Sequence, residues 1–239
     1  METILQSFHR NILVPIGDFI YPPTCFICDK YLEERDCRVC PACWGSFVEL
    51  TLAGPTWIEI KQKFETEGFI KDFLSCYLFE KEGALQEVIH LLKYRGIKSL
   101  GVKLGREIGR RMTQNAAFTH ADYLLPVPLH RLKQRERGYN QSEYICNGIS
   151  AMTQIPVHTS LLIRKKYTVS QTLLTLDERR ENVGDAFVVS PRYRSLVQWK
   201  TFILVDDVIT TGSTINACAK ELMSNGASMV LAASTALAM

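Results

Sequence analysis

The sequence predicts an α/β fold, a parallel sheet flanked by helices, with a small N-terminal module built on four cysteines. Three observations predict it. The stretch 201–214, TFILVDDVITTGST, passes from an apolar run through two acids into a loop of small residues, and Ile215, Cys218, Ala219 and Leu222 then recur at helical spacing. Strand, loop and helix in that order put a ligand site at the carboxyl end of a strand, where open α/β sheets bind ligands. Short apolar runs at 123–129 and 229–233 alternate with helical stretches, as the strands of a parallel sheet do. Five of the eight cysteines lie between Cys25 and Cys43, ahead of all of this.

The chain has 239 residues, 46% of them apolar and 22% charged, which suits one substantial core plus an accessory module. The expected division is 1–55 for the module and 56–239 for the main domain. A formal charge of +3 is too mild to predict nucleic-acid binding and leaves local clusters as its only basis. The N-terminal apolar stretch is broken by Pro15, Gly17 and Asp18, so it reads neither as a secretory signal nor as a membrane span. It is expected to pack on the body of the protein, with a peripheral seat on the inner face of the membrane as the alternative. The chain therefore reads as cytoplasmic, where clustered cysteines more often hold a metal than form disulfides.

In the module, Cys25-Phe-Ile-Cys28 is followed by Cys37-Arg-Val-Cys40-Pro-Ala-Cys43. Two CxxC knuckles about a dozen residues apart fit a tetrahedral four-thiolate zinc site, structural because it leaves no open position. Cys25 and Cys28 form the first knuckle. The second is ambiguous; Cys40 with Cys43 is favoured because Pro41 helps the turn, leaving Cys37 spare. The competing reading is a set of unligated thiols. Cys76, Cys146 and Cys218 read as small buried apolar residues.

The middle of the chain reads in order as follows. Residues 50–68, with a turn at Gly54-Pro55, serve as connector, and 69–79 suits a strand. Leu85, Val88, Ile89 and Leu92 mark a helix that stops near Gly96. A second helix over 99–114 carries Leu100, Leu104, Ile108 and Met112 inward, while Lys103, Arg106, Arg110 and Arg111 form a solvated face or, less simply, a nucleic-acid contact. The strand at 123–129 runs into HRLKQRERGYNQ, whose four cations in seven residues suit a polyanion such as pyrophosphate, or else a solvated basic turn. A helix over 141–152 follows, with Tyr144, Ile145, Gly148 and Ile149 inward. The basic, aperiodic segment 161–185 reads as a loop that closes over a ligand or as an ordinary connector. Strand resumes at 186–189, and Asn225-Gly226 ends the helix that follows the acidic motif.

The loop after the acids has a chemistry of its own. Gly212 lets the backbone approach a ligand closely. Thr210, Thr211, Ser213 and Thr214 set hydroxyls beside the N–H groups of a helix start, which favours a phosphate. Asp206 and Asp207 can accept hydrogen bonds from the neighbouring hydroxyls of a sugar. A diol and one terminal phosphate together describe a ribose 5-phosphate, and the absence of a P-loop lysine disfavours a triphosphate site. The competing reading, a core strand and an N-capped helix, does not account for two adjacent acids before a Gly-centred hydroxyl loop.

The stretch ILVDDVITTGST resembles the phosphoribosyl pyrophosphate (PRPP) signature of type I phosphoribosyltransferases. Together with the CxxC pairs, LKYRG at 92–96, LLPVPLHRLKQRERGYNQ at 124–141 and QTLLTLDERRENVGDAF at 171–187, it resembles the ComF family of competence proteins in motif and order. That resemblance implies a type I phosphoribosyltransferase-like parallel sheet. It also implies a ribose held by Asp206 and Asp207 as the catalytic pair, a 5-phosphate on Thr210, Thr211, Gly212, Ser213 and Thr214, and pyrophosphate facing Arg135 and Arg137. Magnesium and PRPP are the implied small partners and zinc, on Cys25, Cys28, Cys40 and Cys43, the structural metal. The implied role is the handling of internalised single-stranded DNA in natural transformation, with the DNA-uptake machinery as partner. The alternative is a conventional phosphoribosyltransferase acting on a small base or amine. A PRPP-dependent regulator is weaker still, because no helix-turn-helix segment is evident.

Overall fold

A computed structural model of the chain describes residues 22–33, 38–51, 54–164 and 186–238. Cys37, the N-terminal apolar stretch and most of the 161–185 segment lie outside the described residues.

Four parallel strands form the central sheet: β1 (Asp72–Phe79), β2 (Tyr123–Pro126), β5 (Thr201–Ile209) and β6 (Met229–Ala238), in the spatial order β1-β6-β5-β2. The chain crosses from one edge of the sheet to the other between β1 and β2, then returns through the centre. All four strands therefore end on the same side. The apolar runs are continuous rather than alternating because both faces are covered. On β5, Ile203 and Val205 belong to one core and Phe202 and Leu204 to the other. The last strand runs five residues past the expected Ala233, pairing with both β5 and β1.

One face of the sheet carries α3 (Ala84–Tyr94), α4 (Lys98–Met112) and α7 (Gln141–Thr153). Helices α4 and α7 pack unusually closely. Gly101, Gly105 and Gly109 recur every fourth residue on the buried side of α4, and a Cβ on Gly105 would lie 2.0 Å from the Ile145 carbonyl oxygen. Glycine here makes room for a neighbouring backbone. The apolar positions read from sequence, Leu100, Leu104, Ile108 and Met112, are all buried.

The other face carries α2 (Pro55–Glu67), α9 (Ser213–Ser224) and a two-stranded antiparallel sheet of β3 (Leu162–Arg164) and β4 (Phe187–Val189). Helix α2 corrects the reading of 50–68 as connector. Pro55 stands at its first turn and Gly68, at φ 75°, closes it, while Ile60 and Phe64 face inward. Both are standard terminus signals, hidden by a polar helix with a weak apolar stripe. The basic turn at 131–137 is likewise a helix, α6 (Arg131–Arg137), capped by the His130 imidazole and stopped by Gly138 at φ 74°.

The cysteine module, with its short helix α1 (Pro41–Gly45), joins the first core rather than standing apart. Val39, Cys40 and Phe47 are buried with Tyr77, Val88 and Leu92. The Leu50 N–H donates to the Cys76 carbonyl and the Leu78 N–H to the Val48 carbonyl, tying the module to β1. The basic face of α4 completes the attachment. Lys103 lies over the Trp44 ring at 4.1 Å, Arg111 pairs with Glu49 at 3.1 Å, and Arg110 pairs with Glu107. Three of the four cations expected to face solvent are thus engaged with protein groups, two of them with residues 44 and 49. No helix among the described residues is long and apolar enough to cross a membrane.

Candidate functional site: an acidic pair beside a hydroxyl cradle

The motif folds as its residue types dictate. Strand β5 ends at Ile209, Thr210 and Thr211 are exposed, and Gly212 starts α9 in the left-handed region at φ 72°. A Cβ there would meet the Phe64 ring at 2.7 Å, so both backbone conformation and space require glycine. Gly212 has no side chain to cap α9, which leaves its first N–H groups facing the loop. The Thr211 and Ser213 hydroxyls are 2.9 Å apart at the rim. Asp206, Val208 and residues 209–215 enclose a cavity of about 40 Å³. A water occupies about 30 Å³, so the cradle has the scale of one small polar group.

The two carboxylates are placed differently. Asp207 is buried, 4% exposed, and faces the α3–α7 side, where it forms an ion pair with Lys93 and accepts from the Gln141 amide at 3.1 Å. Asp206 borders the cradle, and its Oδ1 accepts from the Ser142 hydroxyl at 3.2 Å and from the Asp207 N–H at 2.9 Å. Burial, then the adjacent Asp207 charge, push the Asp206 carboxyl up to about 8. Asn140 sets the partners in place: it caps α7 through the Ser142 N–H and donates to the Val127 carbonyl at 3.0 Å, fastening the helix start to the end of β2.

Arg137 extends this network. It donates to Gln141 Oε1 at 2.8 Å and lies over the Tyr94 ring at 5.2 Å. Lys93, Asp207, Gln141 and Arg137 therefore form one continuous polar chain from α3 through β5 to α6. Arg135 is exposed on α6, in the same last turn as Arg137. The sequence reading missed Lys93, Gln141 and Ser142 as site residues. A lysine in a helix's last turn and polar residues just after an N-cap are common, so only the pairing across the fold identifies them.

The second constellation is the cysteine cluster. The Sγ atoms of Cys25, Cys28, Cys40 and Cys43 all lie within 4.8 Å of one another, and Cys28 and Cys40 are 3.7 Å apart. A tetrahedron of thiolates at about 2.3 Å from zinc has edges of about 3.8 Å, so the donor set fits that ion. Backbone N–H groups point at the sulfurs: Cys40 N–H to Cys25 Sγ at 3.3 Å and Cys43 N–H to Cys40 Sγ at 3.4 Å. Burial pulls the Cys25 thiol up, but donation from the N–H groups of Cys40, Ile27 and Cys28 outweighs it and brings it down to about 6. Four cysteine sulfurs gathered this closely can hold a metal such as zinc. The remaining described cysteines, Cys76, Cys146 and Cys218, are buried and inert, as expected.

Of the tyrosines that lie near the basic segments in sequence, Tyr94 is 62% exposed, while Tyr139 is 8% exposed and packs edge-on against Tyr144. Tyr94 stands at the end of α3, and beside that helix a groove of about 920 Å³ separates it from the cysteine module. Phe26, Arg38, His90, Arg95 and Lys98 are among its lining residues.

No family model matches the chain. The chain is 37% identical to competence protein F of Haemophilus influenzae over 103 residues, which is 43% of this chain and 44% of that protein. It is 32% identical over 152 residues to the DNA utilization protein YhgH of Escherichia coli, covering 61% of this chain and 64% of that one. The chain thus spans less than two thirds of the length of these curated relatives. Among solved structures it is similar to the glutamine PRPP amidotransferase of B. subtilis, with 23% identity, a TM-score of 0.38, and coverage of 55% of this chain and 26% of that one. The sheet order, not this partial overlap, carries the fold assignment.

Proposed function

We propose that this chain, whose curated relatives include competence protein F and DNA utilization protein YhgH, is a PRPP-binding, phosphoribosyltransferase-like protein of the ComF type that handles internalised single-stranded DNA in natural transformation. The carrying observation is the cradle: a Gly-centred loop of hydroxyls at an uncapped helix start, with Asp206 on its border. Thr210 to Thr214 hold the 5-phosphate through hydroxyls and N–H groups. Asp206 faces the ribose diol, and Asp207, the second acid of the pair, stands behind it, held by Lys93 and Gln141. Arg135 and Arg137 face the diphosphate. Magnesium, when bound, supplies charge neutralisation at the diphosphate and ribose hydroxyls. Positioning and electrostatics then carry the chemistry, as they do wherever a leaving group departs with its charge stabilised.

The DNA component is supported by the groove beside α3. Its cations, Arg38, Arg95 and Lys98, suit a phosphate backbone, and exposed Phe26 and nearby Tyr94 suit stacking of bases. The cysteine cluster holds structural zinc and shapes one wall of that groove.

Calorimetric titration of PRPP with magnesium tests the first part: the wild type binds, and Asp206→Asn weakens binding by about tenfold or more, a loss of about 1.4 kcal/mol. Unchanged affinity in that variant sinks the ligand assignment. Binding of a labelled oligodeoxythymidine that weakens with salt, and weakens further in Arg95→Ala with Lys98→Ala, supports the groove. Salt-independent binding removes backbone contact from the account. The conventional reading, transfer to a small base or amine, is separated by pyrophosphate release measured with and without DNA.

A further inference from the structure

A second cavity, of about 480 Å³, opens against the other side of the α7 start. Four consecutive residues at the start of α7 are divided between the two sites. Gln141 and Ser142 hold the two aspartates, and Asn140 and Glu143, immediately flanking them, line this cavity. β3 and the turn after β4 contribute Arg164 and Arg192 to its lining, and α6 contributes Arg131. Arg164 lies with its guanidinium over the Phe187 ring at 5.3 Å, and its buried Nε has no hydrogen-bond partner among the described residues. A buried guanidinium nitrogen left unsatisfied is costly unless a ligand completes it. Glu143 makes no side-chain hydrogen bond among the described residues, and burial raises its carboxyl above the usual range.

We propose that this cavity binds the acceptor of the phosphoribosyl group, and that the acceptor is an anion carrying an N–H nucleophile. Arg131, Arg164 and Arg192 take the carboxylate or phosphate of the acceptor, in the geometry guanidinium groups favour. Glu143 accepts the N–H. In the transfer step, the acceptor nitrogen lone pair forms the bond to C1 of the ribose. The bond from C1 to the diphosphate oxygen breaks, and its electron pair leaves on the diphosphate. The proton displaced from nitrogen passes to the Glu143 carboxylate. Mass and charge balance with PRPP and the amine as the only reactants. The assignment rests on the reading of the cradle as a PRPP site, and adds to it the chemical class of the second substrate.

The test uses the full chain and matched probe pairs that differ only in charge: 2-aminobenzoate against 2-aminobenzamide, and glycine against glycinamide. Pyrophosphate release is followed with PRPP and magnesium, and PRPP affinity is measured separately. At least one anionic probe is expected to stimulate release about tenfold over its neutral amide. Arg192→Gln is expected to abolish that preference, and Glu143→Gln to lower the rate while flattening its dependence on pH. PRPP that binds while every anionic probe stays silent, or an amide as effective as its acid, overturns the acceptor assignment alone. Failure of PRPP itself to bind the wild type overturns the cradle reading instead.

Discussion

Lys93, in the last turn of α3, forms an ion pair with Asp207 on β5, and Asp207 is 4% exposed. The pair joins two motifs far apart in the sequence, LKYRG and the acidic strand. Its burial sets its energetic character. A buried carboxylate stripped of its cation is left uncompensated, at about 3–5 kcal/mol, whereas replacing both partners by apolar groups is often nearly neutral. Lys93→Met should therefore destabilise the protein by about 3 kcal/mol. Adding Asp207→Leu to Lys93→Met should recover much of that loss in urea denaturation. Additive losses would show that the pair is not energetically coupled.

Asp206 makes the site pH-dependent. Its carboxyl, at about 8 in the folded protein, compares with about 3.9 in an unfolded chain. Between those values the folded state holds a proton that the unfolded state does not. Stability conferred through this group is therefore greatest at low pH and falls as pH rises through the window from about 4 to 8. Asp206→Asn should flatten that part of the stability profile. If magnesium binds with PRPP through this carboxylate, as proposed, affinity should rise by up to about tenfold per pH unit below 8 and level off above it. A pH-independent affinity from 6 to 8 would remove Asp206 from the cation's coordination.

The sheet, the acidic strand and the four cysteines were legible because each rests on a local pattern. Apolar runs, a Gly-centred loop and CxxC spacing do not need the rest of the chain to be read. What the sequence hid depends on pairings across the fold. Lys93 and Gln141 become site residues only when α3 and α7 converge on Asp207. Arg111 and Lys103, read as a solvated face, are drawn to Glu49 and Trp44 of the module. Helix α2 escaped because its apolar stripe is narrow, although Pro55 and Gly68 mark both its ends.

The crossing of α4 and α7 depends on missing side chains. A Cβ on Gly105 would sit 2.0 Å from the Ile145 carbonyl oxygen, and one on Gly148 would sit 2.2 Å from the Val102 carbonyl oxygen. Neither neighbour is a flexible side chain that can swing away. Gly105→Ala, ordinarily a helix-stabilising change, should instead cost about 1–3 kcal/mol as overpacking. Gly45→Ala, with nothing within 4 Å of its Cβ, serves as the control in the same thermal melts. Equal melting temperatures for Gly105→Ala and wild type would place the helices farther apart.

The cysteine cluster makes a stoichiometric prediction. Metal analysis of the purified protein should give one zinc per chain. Cys40→Ala should lose it, since Cys40 both supplies a sulfur and caps α1 with it. Cys37→Ala should retain it. Because Cys25 and Cys40 belong to the same core as Tyr77 and Val88, chelation should also lower the melting temperature of the whole chain rather than release an independent module. Zinc retained in Cys40→Ala but lost in Cys37→Ala would reassign the second knuckle.

Gly212 joins the cradle to α2. Any other residue must adopt φ near 72°, at a cost of about 1–2 kcal/mol, and its Cβ must displace the Phe64 ring, 2.7 Å away. The two costs are separable. Phe64→Ala opens the space without changing the backbone requirement, so Gly212→Ala should be less damaging in the Phe64→Ala background than alone. The residual loss in that background reports the left-handed conformation. PRPP affinity should follow the conformation rather than the space, because the N–H groups at the start of α9 are aimed by the φ of Gly212. Gly212→Ala should thus weaken PRPP binding by about tenfold in both backgrounds, even where stability partly recovers. Affinity that recovers in step with stability would mean that the cradle tolerates a different loop backbone, and that its glycine serves packing against Phe64 alone.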